Sequence, residues 1–181
     1  MENKKILLIG YGNPGRLDDG LGPAFARAVE SLETSGVTVE ADYQLTVEDA
    51  AEVAKQDVVI FADADTAQPG PFWVKEIYPG PAQVSFSSHS ISPEGVLALA
   101  RDLFHATPKS YLIGIRGYDF NEFGERLSPR AQENLEAAVA FWQDACEKGL
   151  ARTLRDRLSA DEATPPNPET NEDDPCKTEN T

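Results

Sequence analysis

Ile6-Leu7-Leu8-Ile9-Gly10-Tyr11-Gly12-Asn13-Pro14-Gly15-Arg16-Leu17-Asp18-Asp19-Gly20 is the stretch on which the fold turns. Four consecutive apolar residues run straight into a glycine-rich loop, and two acids follow within it. An apolar run with no polar alternation is what a strand buried on both faces of a parallel sheet requires. Past the loop, Phe25, Val29 and Leu32 recur at helical spacing over residues 24–32, and Gly36 stands where a helix would stop. A buried strand, a loop and a helix open an α/β fold.

The rest of the chain repeats the alternation. Residues 37–41 predict a second strand, and Thr46 with Asp49 three positions on predicts the start of a short helix over 47–55. Residues 57–63 form the plainest strand, 72–77 another, and 83–86 a short strand or extended segment. Ser92-Pro93-Glu94 combines a capping hydroxyl, proline at the first helical position and an early acid, and predicts a helix to about His105. Residues 111–115 predict the next strand. Ser128-Pro129 repeats the capping signal and opens a long helix carrying Ala131, Leu135, Ala138, Phe141, Trp142 and Ala145. This order implies an α/β fold, a three-layer αβα domain around a mainly parallel central sheet.

The 181 residues, 40% of them hydrophobic, suffice for one core. The expected folded domain covers residues 3–155. Residues 159–181 hold seven acids against Lys177 alone, with almost no large apolar side chain, and are expected to form a disordered acidic tail. No apolar run is long enough to span a membrane, and the start lacks a small-residue cleavage site. Cys146 and Cys176 make no disulfide framework, so a reduced cytoplasmic compartment is expected. A net charge of −15 opposes nucleic acid and anionic membrane, which need clustered Lys and Arg. A monomer is expected.

In open α/β sheets, ligands bind at the carboxyl ends of the strands. Three such segments carry chemistry: Asp18-Asp19 after the first strand, Asp63 at the end of the third, and Ser87-Ser88-His89-Ser90 before the capped helix. Two carboxylates and an imidazole can take a divalent metal or position a water for hydrolysis. Each has a plainer reading. Asp18 and Asp19 could begin a helix, Asp63 could bond loop amides, and His89 could be a surface histidine. His105, the other histidine, sits at a helix end where it would cap carbonyls. Gly10-x-Gly12-x-x-Gly15 also matches the dinucleotide fingerprint, with Glu40 or Asp42 as the ribose acid. Two acids at the turn where a pyrophosphate would lie oppose that reading by like charge.

Taken together, Ile9-Gly10-Tyr11-Gly12-Asn13 with Asp18-Asp19-Gly20-x-Gly22, then Val59-Ile60-Phe61-Ala62-Asp63-Ala64, then Ser87-Ser88-His89-Ser90-Ile91-Ser92-Pro93, resemble the three ordered motifs of the hydrogenase maturation proteases. Ile113-Gly114-Ile115 and Leu127-Ser128 match as well, so the resemblance spans roughly residues 5–145. It implies a phosphorylase/hydrolase-like fold and an endopeptidase that trims the C-terminus of a nickel-iron hydrogenase large-subunit precursor after nickel insertion. It also implies that Asp19, Asp63 and His89 are the catalytic and metal-contacting residues. Some members carry glutamate where this chain has Asp19. Nickel would come with the precursor rather than reside in the free enzyme, and cleavage would be of aspartic or metal-assisted type.

The acidic tail lies outside the family pattern. Gly10 to Gly15 also resembles the opening of peptidyl-tRNA hydrolases, but those need a histidine soon after the loop and a basic groove. A non-catalytic hydrogenase assembly chaperone is the other alternative.

Overall fold

The structure, a computed structural model, describes residues 4–80 and 91–162. Ten regular elements follow in order: β1 (Ile6–Tyr11), α1 (Leu21–Glu30), β2 (Val37–Asp42), α2 (Asp49–Val53), β3 (Val58–Asp65), β4 (Phe72–Ile77), α3 (Pro93–Phe104), β5 (Lys109–Arg116), α4 (Pro129–Lys148) and α5 (Leu150–Glu162). A 3-10 turn, Leu17–Gly20, leads into α1. The possible strand at 83–86, His89, Cys176 and residues 163–181 lie outside the described residues.

The strands form one sheet in the order β2-β1-β3-β5-β4. β1 pairs in parallel with β2 and β3, and β3 with β5, while β4 runs antiparallel on the edge. The three-layer, mainly parallel reading is therefore the observed architecture. Leu8, Ile60, Ala62, Ile113 and Ile115 face a core shared with Phe25, Val29, Leu135, Trp142 and Leu154, which come from α1, α4 and α5. Leu7, Ile9, Val59 and Phe61 face the opposite core, built with Val53 of α2 and Val96, Leu97 and Ala100 of α3. Both faces of β1 and β3 are covered, which is why these strands read as unbroken apolar runs.

The caps of α3 and α4 formed as the residue types dictate. Ser92 Oγ accepts from Gly95 N at 3.2 Å, and Ser128 Oγ from Ala131 N at 3.4 Å. The expected Thr46 cap of α2 did not form: the helix starts only at Asp49, after Glu48, and Thr46 N donates to Asp49 Oδ2 at 2.7 Å in the turn before it. His105 ends α3 in the left-handed region (φ 55°), and its amide bonds the Arg101 carbonyl.

β3 and β5 run on to Asp65 and Arg116, past the expected 63 and 115, and three helices also differ from the sequence reading. α1 begins at Leu21 rather than at 24, because Pro23 falls in its first turn, where no amide is needed. α2 is confined to Asp49–Val53. The long final helix stops at Lys148, breaks at Gly149 (φ 98°), and a further helix runs to Glu162, past the expected domain end at 155 and into the first residues of the expected tail. Leu150 and Leu154 of α5 are buried, and the Arg157 guanidinium lies 4.8 Å from the Phe72 ring centroid.

Candidate active site

β1 leads through α1 to β2 on one side of it, and the chain then crosses to β3 on the other. The carboxyl ends of β1 and β3 are thus the topological switch point, where open α/β sheets leave a crevice for ligands. Glycine contacts build that crevice. A Cβ on Gly22 would collide with the carbonyl oxygens of Tyr11 and Ala62, and one on Gly10 with the carbonyl of Gly22. The first turn of α1 therefore packs directly on the ends of both strands. Gly12 has φ 138°, and its missing side chain leaves room for the Asp19 carbonyl.

This packing places Asp19 within electrostatic reach of Asp63. Asp19 Oδ2 accepts from Asn13 N at 3.2 Å, and Asn13 Oδ1 from Gly15 N at 2.9 Å, so the loop closes on itself beneath Asp19. The amide a bound phosphate would take is already given to a carboxylate, which disfavours the dinucleotide reading of the glycines. Asp63 Oδ1 accepts from Ala64 N at 2.7 Å. Its carboxylate also bonds the Tyr11 side chain, so the phenol donates to it. Burial pushes the Asp63 carboxyl up to about 6; the Tyr11 and Ala64 bonds oppose the rise, and the charges of Asp19 and Asp65 add to it. Tyr11 is itself pushed up, by burial first and then by the charge and bond of Asp63 and the charge of Glu94.

The sheet register extends the site sideways. Asp63 is opposite Gly114, and Gly114 is opposite Trp73. A side chain on Gly114 would run into the indole, so Trp73 lies across Gly114 on the face that carries Asp63. Asp63 accordingly sits in a row between a phenol and an indole, in surroundings that desolvate a charge. The sequence reading missed Tyr11 and Trp73. Tyr11 stood inside the quoted motif, but Trp73 is found only through strand register.

Asp18 and Asp19 part company. Asp18 is fully buried, and its carboxylate is turned to the segment before α4. It accepts from Tyr118 N at 2.8 Å, Asp119 N at 3.0 Å, Ser128 N at 2.7 Å and Ser128 Oγ at 2.7 Å. Burial alone would raise its pKa, but these bonds outweigh burial and hold it below the usual carboxylate range. Asp18 is a structural carboxylate and Asp19 a crevice one.

The charge of Asp19 acts on Asp63, and two neighbouring carboxylates suit a divalent cation. His89 lies outside the described residues. Among the described residues, one trio of acids has ligand atoms within 4.8 Å of one another: Glu40, Asp42 and Asp49, at the end of β2 and start of α2. Asp49 there already accepts the Thr46 amide, so it caps a turn. Cys146, on α4, is half-buried and its thiol is pushed up by burial. No helix among the described residues is long and apolar enough to cross a membrane.

No protein-family model matches the chain, and no curated protein does. Solved structures do. A [NiFe] hydrogenase maturation protease, HycI, from Thermococcus kodakarensis aligns at TM-score 0.62 and 22% identity, over 80% of this chain and 93% of that one. The hydrogenase maturating endopeptidase HybD from E. coli aligns at TM-score 0.58 and 26% identity, over 80% and 94%. A hydrogenase 2 maturation peptidase from a Thaumarchaeota archaeon gives 0.58 and 23%, over 78% and 97%.

Proposed function

We infer that this chain, which shares the fold of the hydrogenase maturation proteases and belongs among them, is an endopeptidase acting on the large-subunit precursor of a nickel-iron hydrogenase. It removes a C-terminal peptide after nickel has been inserted. What supports this reading most is the electrostatic influence of Asp19 on Asp63 at the β1/β3 switch point, in a fold matched over nearly the whole length of the known proteases.

In this account nickel arrives with the substrate, held by the precursor's own soft donors. Asp19 and Asp63 complete its coordination with hard oxygens, and His89 adds a neutral nitrogen. Metal recognition then tells the enzyme that the precursor is loaded. Asp63 has a second quality. A carboxyl near 6 is ionised at neutral pH yet basic enough to take a proton from an attacking water, as hydrolysis of a peptide bond requires. Tyr11, by donating to Asp63, fixes its orientation. Two loop and strand-end carboxylates hold a metal weakly on their own, so the free enzyme should lose added nickel to a chelator. Its two isolated cysteines fit a reduced, cytoplasmic compartment, and a monomer is the proposed state.

The test is direct. The purified chain is incubated with nickel-loaded and nickel-free precursor, and the products are weighed by mass spectrometry. One cleavage near the C-terminus, in the loaded precursor alone, supports the reading; two uncut precursors would refute it.

A further inference from the structure

The segment joining β5 to α4, residues 117–128, is bound along its length to the turn that carries Asp19. Leu17 N donates to Gly124 O at 3.0 Å and Gly124 N to Gly15 O at 2.9 Å, while Asp18 N donates to Asp119 O at 3.0 Å. Arg16 Nη2 reaches Phe120 O at 3.4 Å. The Asp18 carboxylate takes the Tyr118, Asp119 and Ser128 donors from the other side. Gly117 N is tied to Asp65 O at 2.9 Å, two residues from Asp63. A connection of this length that closes so many bonds onto a neighbouring loop is ordered before any partner arrives.

On this fixed segment Phe123 stands 90% exposed, the most exposed large apolar side chain among the described residues. It precedes Gly124, whose backbone pairs with Arg16 and Leu17, and Asp19 follows within the same turn. An isolated exposed phenylalanine is ordinary. One presented by a pre-ordered loop at the edge of a reaction site resembles the rigid aromatic anchors that dominate protein interfaces, because little further ordering entropy is lost when they bind. Asp119, Glu122 and Glu125 surround it in sequence, and Arg126 is the one base among them, 3.9 Å from Glu122.

We propose that residues 117–128 form the substrate-docking rim of this protease, with Phe123 as the anchor that enters an apolar recess of the hydrogenase precursor flanked by cationic side chains. This rests on the functional reading above and adds which surface grips the substrate. The metal crevice reports that nickel is present, and the rim supplies affinity for the protein around it. Asp18 acts as the positioning residue that keeps rim and crevice in one frame.

The experiment compares initial rates of cleavage of nickel-loaded precursor by the parent, Phe123→Ala, Phe123→Leu and Glu122→Gln/Glu125→Gln, over a range of precursor concentrations. Binding of labelled precursor to Asp63→Asn, with and without Phe123→Ala, is measured alongside. The expected result is KM raised about tenfold by Phe123→Ala with kcat changed less than threefold, most of it restored by leucine, and a smaller rise, about threefold, for the double glutamine variant. Affinity in the Asp63→Asn background should fall by the same factor as KM rises. Unchanged KM and affinity in Phe123→Ala, with a parent that cuts normally, would overturn the docking rim alone. A parent that leaves loaded precursor uncut would overturn the function and the rim with it.

Discussion

The Asp18 carboxylate takes both the amide and the hydroxyl of Ser128, each at 2.7 Å, across 110 residues of chain. The same hydroxyl caps α4. One buried acid therefore joins the crevice turn, the start of α4 and the loop between β5 and α4. Its neighbour Asp19 takes no part in this clamp; it accepts the Asn13 amide, and its charge acts on Asp63.

Asp18→Asn should be the most damaging single change near the site. An amide cannot accept from four donors, and its own NH2 would face backbone amides, so a loss of about 2–4 kcal/mol is expected. The pH dependence has a fixed sign. The folded carboxyl is held below its usual range, so its contribution is complete above that range and fades as pH falls through it. Thermal midpoints of parent and variant should differ at pH 7 and converge in strong acid; equal midpoints at pH 7 would refute the clamp.

Asp63 predicts the opposite slope. Its folded pKa of about 6 exceeds the ordinary 3.8, so between those values the folded state keeps a proton that the unfolded state has released. Stability should therefore fall as pH rises through that window, by on the order of 2 kcal/mol. Asp63→Asn removes the titration, so the midpoint of the parent relative to this variant should drop between pH 4 and 7. A flat difference would contradict the burial of Asp63.

How much of this was legible from residues alone depended on range. The strands of β1 and β3 could be read because both faces are buried and leave an unbroken apolar run. The Ser92 and Ser128 caps could be read because hydroxyl, proline and helix start are adjacent in sequence. Asp19 and Asp63 could be named from strand-end position. The division of labour between Asp18 and Asp19 was hidden, since it is decided by donors 100 to 110 residues away. Trp73 was hidden too, because it meets Asp63 through Gly114 on a strand between them. α5 lacked any capping residue at its start, and a polar composition masked Leu150 and Leu154.

Gly22→Ala tests the packing that makes the crevice. The added methyl would meet the carbonyls of Tyr11 and Ala62, both backbone and unable to move aside cheaply. A cost of about 2 kcal/mol or more is expected, with loss of cleavage well below the melting temperature. Gly70→Ala is the control, since nothing lies within 4 Å of its Cβ position, although its φ of 97° brings some strain. Normal cleavage by Gly22→Ala would mean that the α1 turn does not set the site.

Truncation separates tail from domain. Ending the chain after Leu158 retains Leu150, Leu154 and Arg157 and should leave the thermal midpoint within a degree or two. Ending it after Lys148 strips both leucines from the core and removes the Arg157–Phe72 contact, costing about 4 kcal/mol. Equal midpoints for the two truncations would show that α5 adds nothing to the fold.

The central claim is that Asp19 and Asp63 act as one site on a nickel-loaded precursor, and the most direct measurement is the cleavage rate of Asp19→Asn, Asp63→Asn and the double variant. Each substitution keeps size and removes charge. Residues that act as a unit give losses that do not add, so each single change should slow cleavage at least a hundredfold and the double variant should be scarcely slower than the worse single one. Near-parental cleavage by either single variant would contradict the account.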